Sequence, residues 1–219
     1  MSESILSAAE IRALLIRGHI PADAVFDRLM GSESAAASFQ HWTPLSICAR
    51  VANWMNEFNI HSVVDVGSGS GKFCVATALL SQGSFYGLEQ RKHLVFEARA
   101  LAKTFSLDSL TEFAEGTLQS ALLPPCDAYY FYNPFGENLF EPEEGLHLDQ
   151  SVPLSWDTFE QDVAQAYDLL TLAPVGTFVI EYNGFGGELP PHYVPLRAHR
   201  GHSSVLRLWQ KRALRGGGS

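Results

Sequence analysis

Three groups of residues in this chain have the types and spacing to do chemistry. The first reads Val63-Val64-Asp65-Val66-Gly67-Ser68-Gly69-Ser70-Gly71, an apolar run, then glycines at alternate positions, then a helix-forming sequence. Glycine tolerates positive φ and lets a ligand approach the backbone, while the following helix end offers N–H groups and a partial positive charge to an anion. Phe85-Tyr86-Gly87-Leu88-Glu89 is a second apolar run, and it ends in a carboxylate. A carboxylate about 20 positions after such glycines can accept both hydroxyl hydrogens of a ribose. The third group is Asn133-Pro134-Phe135-Gly136, directly after the apolar run from Ala128 to Tyr132. Ligands of parallel α/β sheets sit outside the carboxyl ends of the strands, which places this tetrapeptide beside whatever the glycine turn binds. Asn, Pro and Gly also favour a simple turn there.

Spacing narrows the ligand. A dinucleotide turn, G-x-G-x-x-G, needs glycine where Lys72 stands. A phosphate-binding P-loop needs glycine in place of Val66 and a hydroxyl in place of Phe73. What remains resembles motif I of the class I S-adenosylmethionine methyltransferases, in which an acidic residue, here Asp65, precedes G-x-G-x-G. The resemblance implies that Gly67, Ser68, Gly69 and Gly71 form the cofactor turn, with the helix end facing the methionyl carboxylate, Asp65 helping to hold the ammonium and Glu89 binding the ribose. In that family the third strand commonly ends in Gly-Asp, whose carboxylate meets the adenine. Here the sequence is Glu115-Gly116-Thr117, so Thr117 brings a hydroxyl to that position. His41-Trp42-Thr43-Pro44 resembles the segment that covers the cofactor in some non-SET, seven-stranded lysine methyltransferases, which makes Trp42 and Thr43 cofactor contacts.

Asn133-Pro134-Phe135-Gly136 is similar to motif IV of amino-group methyltransferases, [DNS]-P-P-[YFW], without its second proline. The resemblance gives Asn133 the task of accepting hydrogens from a substrate amine beside the cofactor, Pro134 and Phe135 the task of shaping and packing the site, and Glu137 that of taking up a proton. Methyl transfer is an in-line displacement, so positioning supplies much of its rate. The implied activity is N-methylation of a protein lysine or small amine, with S-adenosylmethionine as donor and S-adenosylhomocysteine as product. An oxygen or a nucleobase amine is the alternative acceptor, and a module that binds the cofactor or a partner without catalysis is the alternative of a different class.

Around the third group lie Glu137, Glu141, Glu143, Glu144, His147 and Asp149, in a loop long enough to be functional. Their spacing fits no ordered ligand set, so no metal is expected. The net charge is −9, and no Lys or Arg occurs between Thr104 and Leu196. Nucleic-acid backbones are bound through Lys and Arg, so an extended duplex is a poor partner, whereas a basic protein or an amine suits this surface.

These groups need elements to position them. Apolar periodicity predicts helices in the first forty residues, from Ile5, Leu6, Ile11, Leu14 and Leu15 and then Val25, Phe26, Leu29 and Met30. Thr43 as N-cap with Pro44 at the first helical position predicts a further helix, its buried face formed by Ile47, Val51, Trp54 and Met55. Strands at Ser62–Val66, Ser84–Leu88, Leu110–Ala114, Ala128–Tyr132 and Thr177–Tyr182 alternate with helices over Gly71–Ser81, Gln90–Lys103 and Asp157–Leu170. That alternation predicts a three-layer αβα Rossmann-like sheet, mostly parallel, and Tyr193–His199 with Val205–Gln210 adds an antiparallel hairpin at its edge. The expected organisation is a helical cap over 1–42, a methyltransferase domain over 43–212 and a linker or tag remnant over 213–219. Cys48, Cys74 and Cys126 are too widely spaced for zinc and odd in number. With no basic leader and no long apolar run, the expected location is cytoplasmic, away from membranes, with the oligomeric state open.

Overall fold

The central strands form where short β-branched and aromatic runs are buried on both faces. In the computed structural model, which describes residues 6–141, 144 and 146–213, seven strands make one sheet in the order β3-β2-β1-β4-β5-β7-β6. They are β1 (Ser62–Val66), β2 (Ser84–Glu89), β3 (Thr111–Glu115), β4 (Ala128–Phe131), β5 (Phe178–Tyr182), β6 (Tyr193–Arg200) and β7 (Val205–Lys211). The first five pair in parallel, and β7 lies antiparallel between β5 and the edge strand β6. The helices are α1 (Ala8–Ile16), α2 (Asp23–Asp27), α3 (Ser32–His41), α4 (Leu45–Phe58), α5 (Lys72–Ser81), α6 (Lys92–Thr104) and α7 (Trp156–Leu172). Ile5, Glu143 and all but the first residue of the expected linker over 213–219 lie outside the described set.

Register sorts the sheet into two unequal faces. Val63, Phe85, Phe113, Tyr130 and Ile180 point to one side, where residues of α1, α2, α4, α5 and α6 complete a single large core. Val64, Val66, Tyr129, Phe131 and Val179 point to the other, packed by Ala166 and Leu170 of α7 and by Phe185. Over β2 and β3 no helix among the described residues covers that second face: Leu118, Leu123 and Cys126 of the β3–β4 connection lie there, and Glu112 is exposed. The three layers are therefore lopsided.

The N-terminal helices share the main core. Ile11 and Leu15 of α1 and Phe26 of α2 are fully buried, and Phe26 stacks on Phe105 with ring centroids 5.3 Å apart. α1 and α2 are thus part of that core. The start of α4 departs from expectation. Pro44, not Thr43, is the N-cap, and its side chain cannot serve the orphan N–H groups. The Asp23 carboxylate accepts the Leu45 N–H instead, at 3.0 Å, while the Thr43 hydroxyl pairs with the Tyr130 hydroxyl at 2.8 Å. Ile47, Val51, Trp54 and Met55 are buried as expected, and Asn59 ends α4 in the left-handed conformation.

Sheet order reverses between β1 and β4. At such a switch point the connections leave in opposite directions and open a crevice beyond the strand ends. The glycine turn after β1, Glu89 at the end of β2 and Asn133 after β4 all border it.

Candidate functional site

The glycine turn is closed by contacts that only glycine permits. Gly67 has φ 78°, and a β-carbon there would stand 2.7 Å from Cβ of Pro134. A β-carbon on Gly69, at φ 55°, would stand 2.2 Å from the Trp42 ring. The first contact ties the turn to the Asn133–Gly136 segment, and the second seats Trp42 on the turn, its indole N–H donating to the Ser34 carbonyl at 2.8 Å. The turn also satisfies several of its own N–H groups. Gly67 and Ser68 both donate to the Leu88 carbonyl, at 2.9 and 3.0 Å, and Gly69 donates to Glu89 Oε2 at 3.0 Å. An anion at this helix end would therefore meet the first turn of α5 rather than these three groups.

Asp65 lies beneath the turn, 3% exposed. Its carboxyl is pushed up to about 7, chiefly by burial, with Glu89 adding to the rise and the Cys74 thiol, which donates at 3.3 Å, opposing it. No cation is bonded to it among the described residues. Lys72, the next residue after the turn, points away and is buried in an ion cluster with Asp23 at 2.6 Å and Asp27 at 2.7 Å, also donating to Ser38 at 2.9 Å. This cluster fastens α2 and α3 to the start of α5.

Glu89 forms one side of a slot of about 100 Å³, open to solvent, whose other walls include Trp42, Gly67, Thr117, Asn133 and Phe135. Its Oε1 accepts the Arg91 N–H at 2.8 Å, and burial raises its proton affinity against these hydrogen bonds. Thr117 borders the slot, with its N–H and hydroxyl turned to Ser120 at 3.0 and 3.3 Å, whereas Glu115 is exposed and outside it. Asn133 takes φ 41°, its N–H donating to the Gly184 carbonyl at 2.8 Å. Its side-chain amide lies against Gly136, where a β-carbon would come within 2.2 Å, and no hydrogen bond engages that amide among the described residues.

Glu137 lines the slot with both oxygens committed. Arg91 Nη2 reaches Oε2 at 2.8 Å and the Leu148 N–H reaches Oε1 at 2.6 Å. Arg91 also meets Asp149 at 3.2 Å. Glu137 and Asp149 thus share one buried guanidinium. Arg91 was not singled out from sequence, although its place two residues after Glu89 was a signal. His41, to which the covering segment gave no role of its own, borders both the slot and a smaller recess lined by Asp65 and Tyr130, and burial lowers the proton affinity of its ring.

No protein-family model and no curated protein matches the sequence. Solved structures do resemble the fold. An RNA methyltransferase from Salinibacter ruber in complex with S-adenosyl-L-homocysteine matches with TM-score 0.56 and 18% identity over 80% of this chain and 97% of its own. A putative O-methyltransferase from Klebsiella pneumoniae matches with TM-score 0.58 and 17% identity over 94% of this chain and 97% of its own. An O-methyltransferase from Bacillus cereus with the same bound product gives TM-score 0.58 and 14% identity over 92% and 97%. The seven-stranded Rossmann-like sheet described above is the fold of these methyltransferases.

Proposed function

We propose that this chain is an S-adenosylmethionine-dependent methyltransferase whose acceptor is an amine nitrogen presented at Asn133. The observation that carries the reading is the convergence, around one slot, of the glycine turn, the buried Glu89 carboxylate and the unengaged Asn133 amide. The residues suit the cofactor. Each oxygen of Glu89 accepts one backbone N–H and keeps a lone pair for a ribose hydroxyl. Asp65 is a buried carboxylate with no cationic partner among the described residues, the environment an ammonium would relieve. Trp42 on Gly69 and Leu118 near Thr117 give apolar surface for the adenosine.

When bound, the cofactor supplies an electrophilic methyl group on a sulfonium centre. The chain's own part is placement. The Asn133 side-chain oxygen accepts an N–H of the amine and directs its lone pair, Phe135 limits where the acceptor can lie, and Arg91 holds Glu137 and Asp149 so that the loop stays closed on the slot. The known names of fold relatives, an RNA methyltransferase and two O-methyltransferases, differ in acceptor. The choice of nitrogen rests on Asn133, an acceptor and not a base.

Calorimetry with S-adenosylmethionine and S-adenosylhomocysteine, followed by labelled methyl transfer to a panel of amines, tests this. Asn133→Ala should lower turnover by about 100-fold while leaving S-adenosylhomocysteine affinity within about threefold, the signature of lost positioning. If neither compound binds, the reading is wrong. Binding with no turnover on any amine or hydroxyl acceptor would instead make the chain a binding module.

A further inference from the structure

A second cavity, of about 700 Å³, lies on the far side of Trp42 and Tyr132 from Glu89, bounded by α2 and α3 below and by the ends of β4 and β5 with the β6–β7 turn above. Trp42 and Tyr132 border both spaces, so the cavity abuts the slot next to Asn133. Resting on the methyltransferase reading, we propose that this cavity is the acceptor site and that the acceptor is a small planar amine, uncharged at neutral pH, such as an arylamine or a ring nitrogen.

Size is the first ground. Small-molecule sites span roughly 300 to 1,000 Å³ and are lined mainly by apolar and aromatic groups. Here Tyr132 and Tyr182 stand with ring centroids 4.7 Å apart, Trp42 adds a third ring, and Phe39 is wholly exposed at the mouth. These rings offer a stacking surface to a flat ligand. Burial holds the Tyr132 phenol above its usual range, so that wall stays uncharged.

Charge is the second ground. The carboxylates bordering the cavity are Asp23 and Asp27, and both are bound by Lys72 at 2.6 and 2.7 Å, while Arg28 contributes a further positive group. An alkylammonium would have to compete with Lys72 for them. An amine that is neutral at the outset needs no base to expose its lone pair: its nitrogen would bond to the methyl carbon as the methyl–sulfur bond of the donor breaks, S-adenosylhomocysteine would leave with that electron pair, and the proton of the N-methylated cation, whose conjugate amine is a weak base, would pass to water. Of the three carboxylates that line the slot, Glu137 is taken up by Arg91 and Glu89 accepts two backbone N–H groups, which leaves Asp162 of α7 as the one without a bonded partner among the described residues.

Aromatic rings attract cations too, so N-acetyl-lysine amide is the discriminating control. Calorimetry would compare it with 8-aminoquinoline, 5-aminoindole and benzimidazole, with and without S-adenosylhomocysteine, on the whole chain. At least one planar amine should bind and accept labelled methyl, and its affinity should fall at least tenfold in Ala36→Trp, which fills the cavity from α3, with S-adenosylhomocysteine affinity unchanged. Phe39→Ser, a change at a fully exposed side chain, should weaken the same ligand several-fold in a protein that folds normally. Binding of the lysine compound with none of the planar amines would overturn the proposal, as would planar-amine affinity indifferent to both substitutions. The two readings fail separately: absent cofactor binding sinks the methyltransferase, whereas intact cofactor binding with an inert cavity sinks only the acceptor assignment.

Discussion

A buried carboxylate without a counter-ion shows itself in pH. Asp65 titrates near 7 in the fold against 3.8 for the ordinary side chain. Across that window the native chain holds a proton that the unfolded chain has lost, so this residue makes stability fall as pH rises from about 3.8 to about 7. Asp65→Asn should remove that part of the slope in urea melts taken at several pH values. An ammonium arriving beside Asp65 favours its ionised form, so cofactor binding near pH 6.5 should release a proton. Calorimetry in two buffers of different ionisation enthalpy reads this directly, and Asp65→Asn should abolish the difference. Glu89→Gln tests the neighbouring role. It replaces an acceptor facing the Gly69 and Arg91 N–H groups by one oxygen and one donor. Charge-assisted hydrogen bonds are worth about 1.5–3 kcal/mol, so S-adenosylhomocysteine affinity should fall roughly 10- to 100-fold.

At the scale of elements, the joints between segments decide the geometry. The α5 start is fastened to α2 through Lys72, which is 2% exposed. Lys72→Met would leave Asp27 buried without its partner, and breaking a buried pair from one side costs about 3–5 kcal/mol. Because Asp23 is partly solvated, the lower end is expected, seen as a fall in the urea midpoint. The joint between the turn and Trp42 is steric. Gly69→Ala meets both a positive φ and a ring 2.2 Å away, and should cost about 1–3 kcal/mol of stability together with cofactor binding. Adding Trp42→Ala removes the clash but also a buried, hydrogen-bonded indole worth about 3–5 kcal/mol, so the double variant should melt no higher than Gly69→Ala while losing less than the sum of the two single losses.

For the whole molecule, the sign and spread of charge set what can approach. A net charge of −9 with no Lys or Arg between Thr104 and Leu196 leaves that span without groups that displace counterions, so we expect a nucleic-acid backbone to be a weak partner. Fluorescence anisotropy with a duplex RNA at physiological salt should show no saturable binding up to about 10⁻⁴ M, the weak limit of ordinary non-specific complexes. Saturable binding with a steep salt dependence would contradict this. No helix among the described residues is long and apolar enough to cross a membrane.

The amino-acid sequence alone determined the alternation of strands and helices, the glycine turn and Glu89, because each is a local pattern: periodicity, a run of glycines, a carboxylate at a strand end. Strand limits fall within a residue or two of expectation for the same reason. What depends on distant partners was decided only in three dimensions. Thr43 looks like an N-cap until Tyr130, 87 positions away, takes its hydroxyl, and the cap passes to Asp23. Glu137 looks like an available base until Arg91 arrives from the end of β2. Glu137 and Asp149 of the acidic second half look open to cations until both are seen to share the Arg91 guanidinium. Burying a charge without a partner is costly, so folding pairs it with whatever the topology brings near, and spacing along the chain does not carry that information.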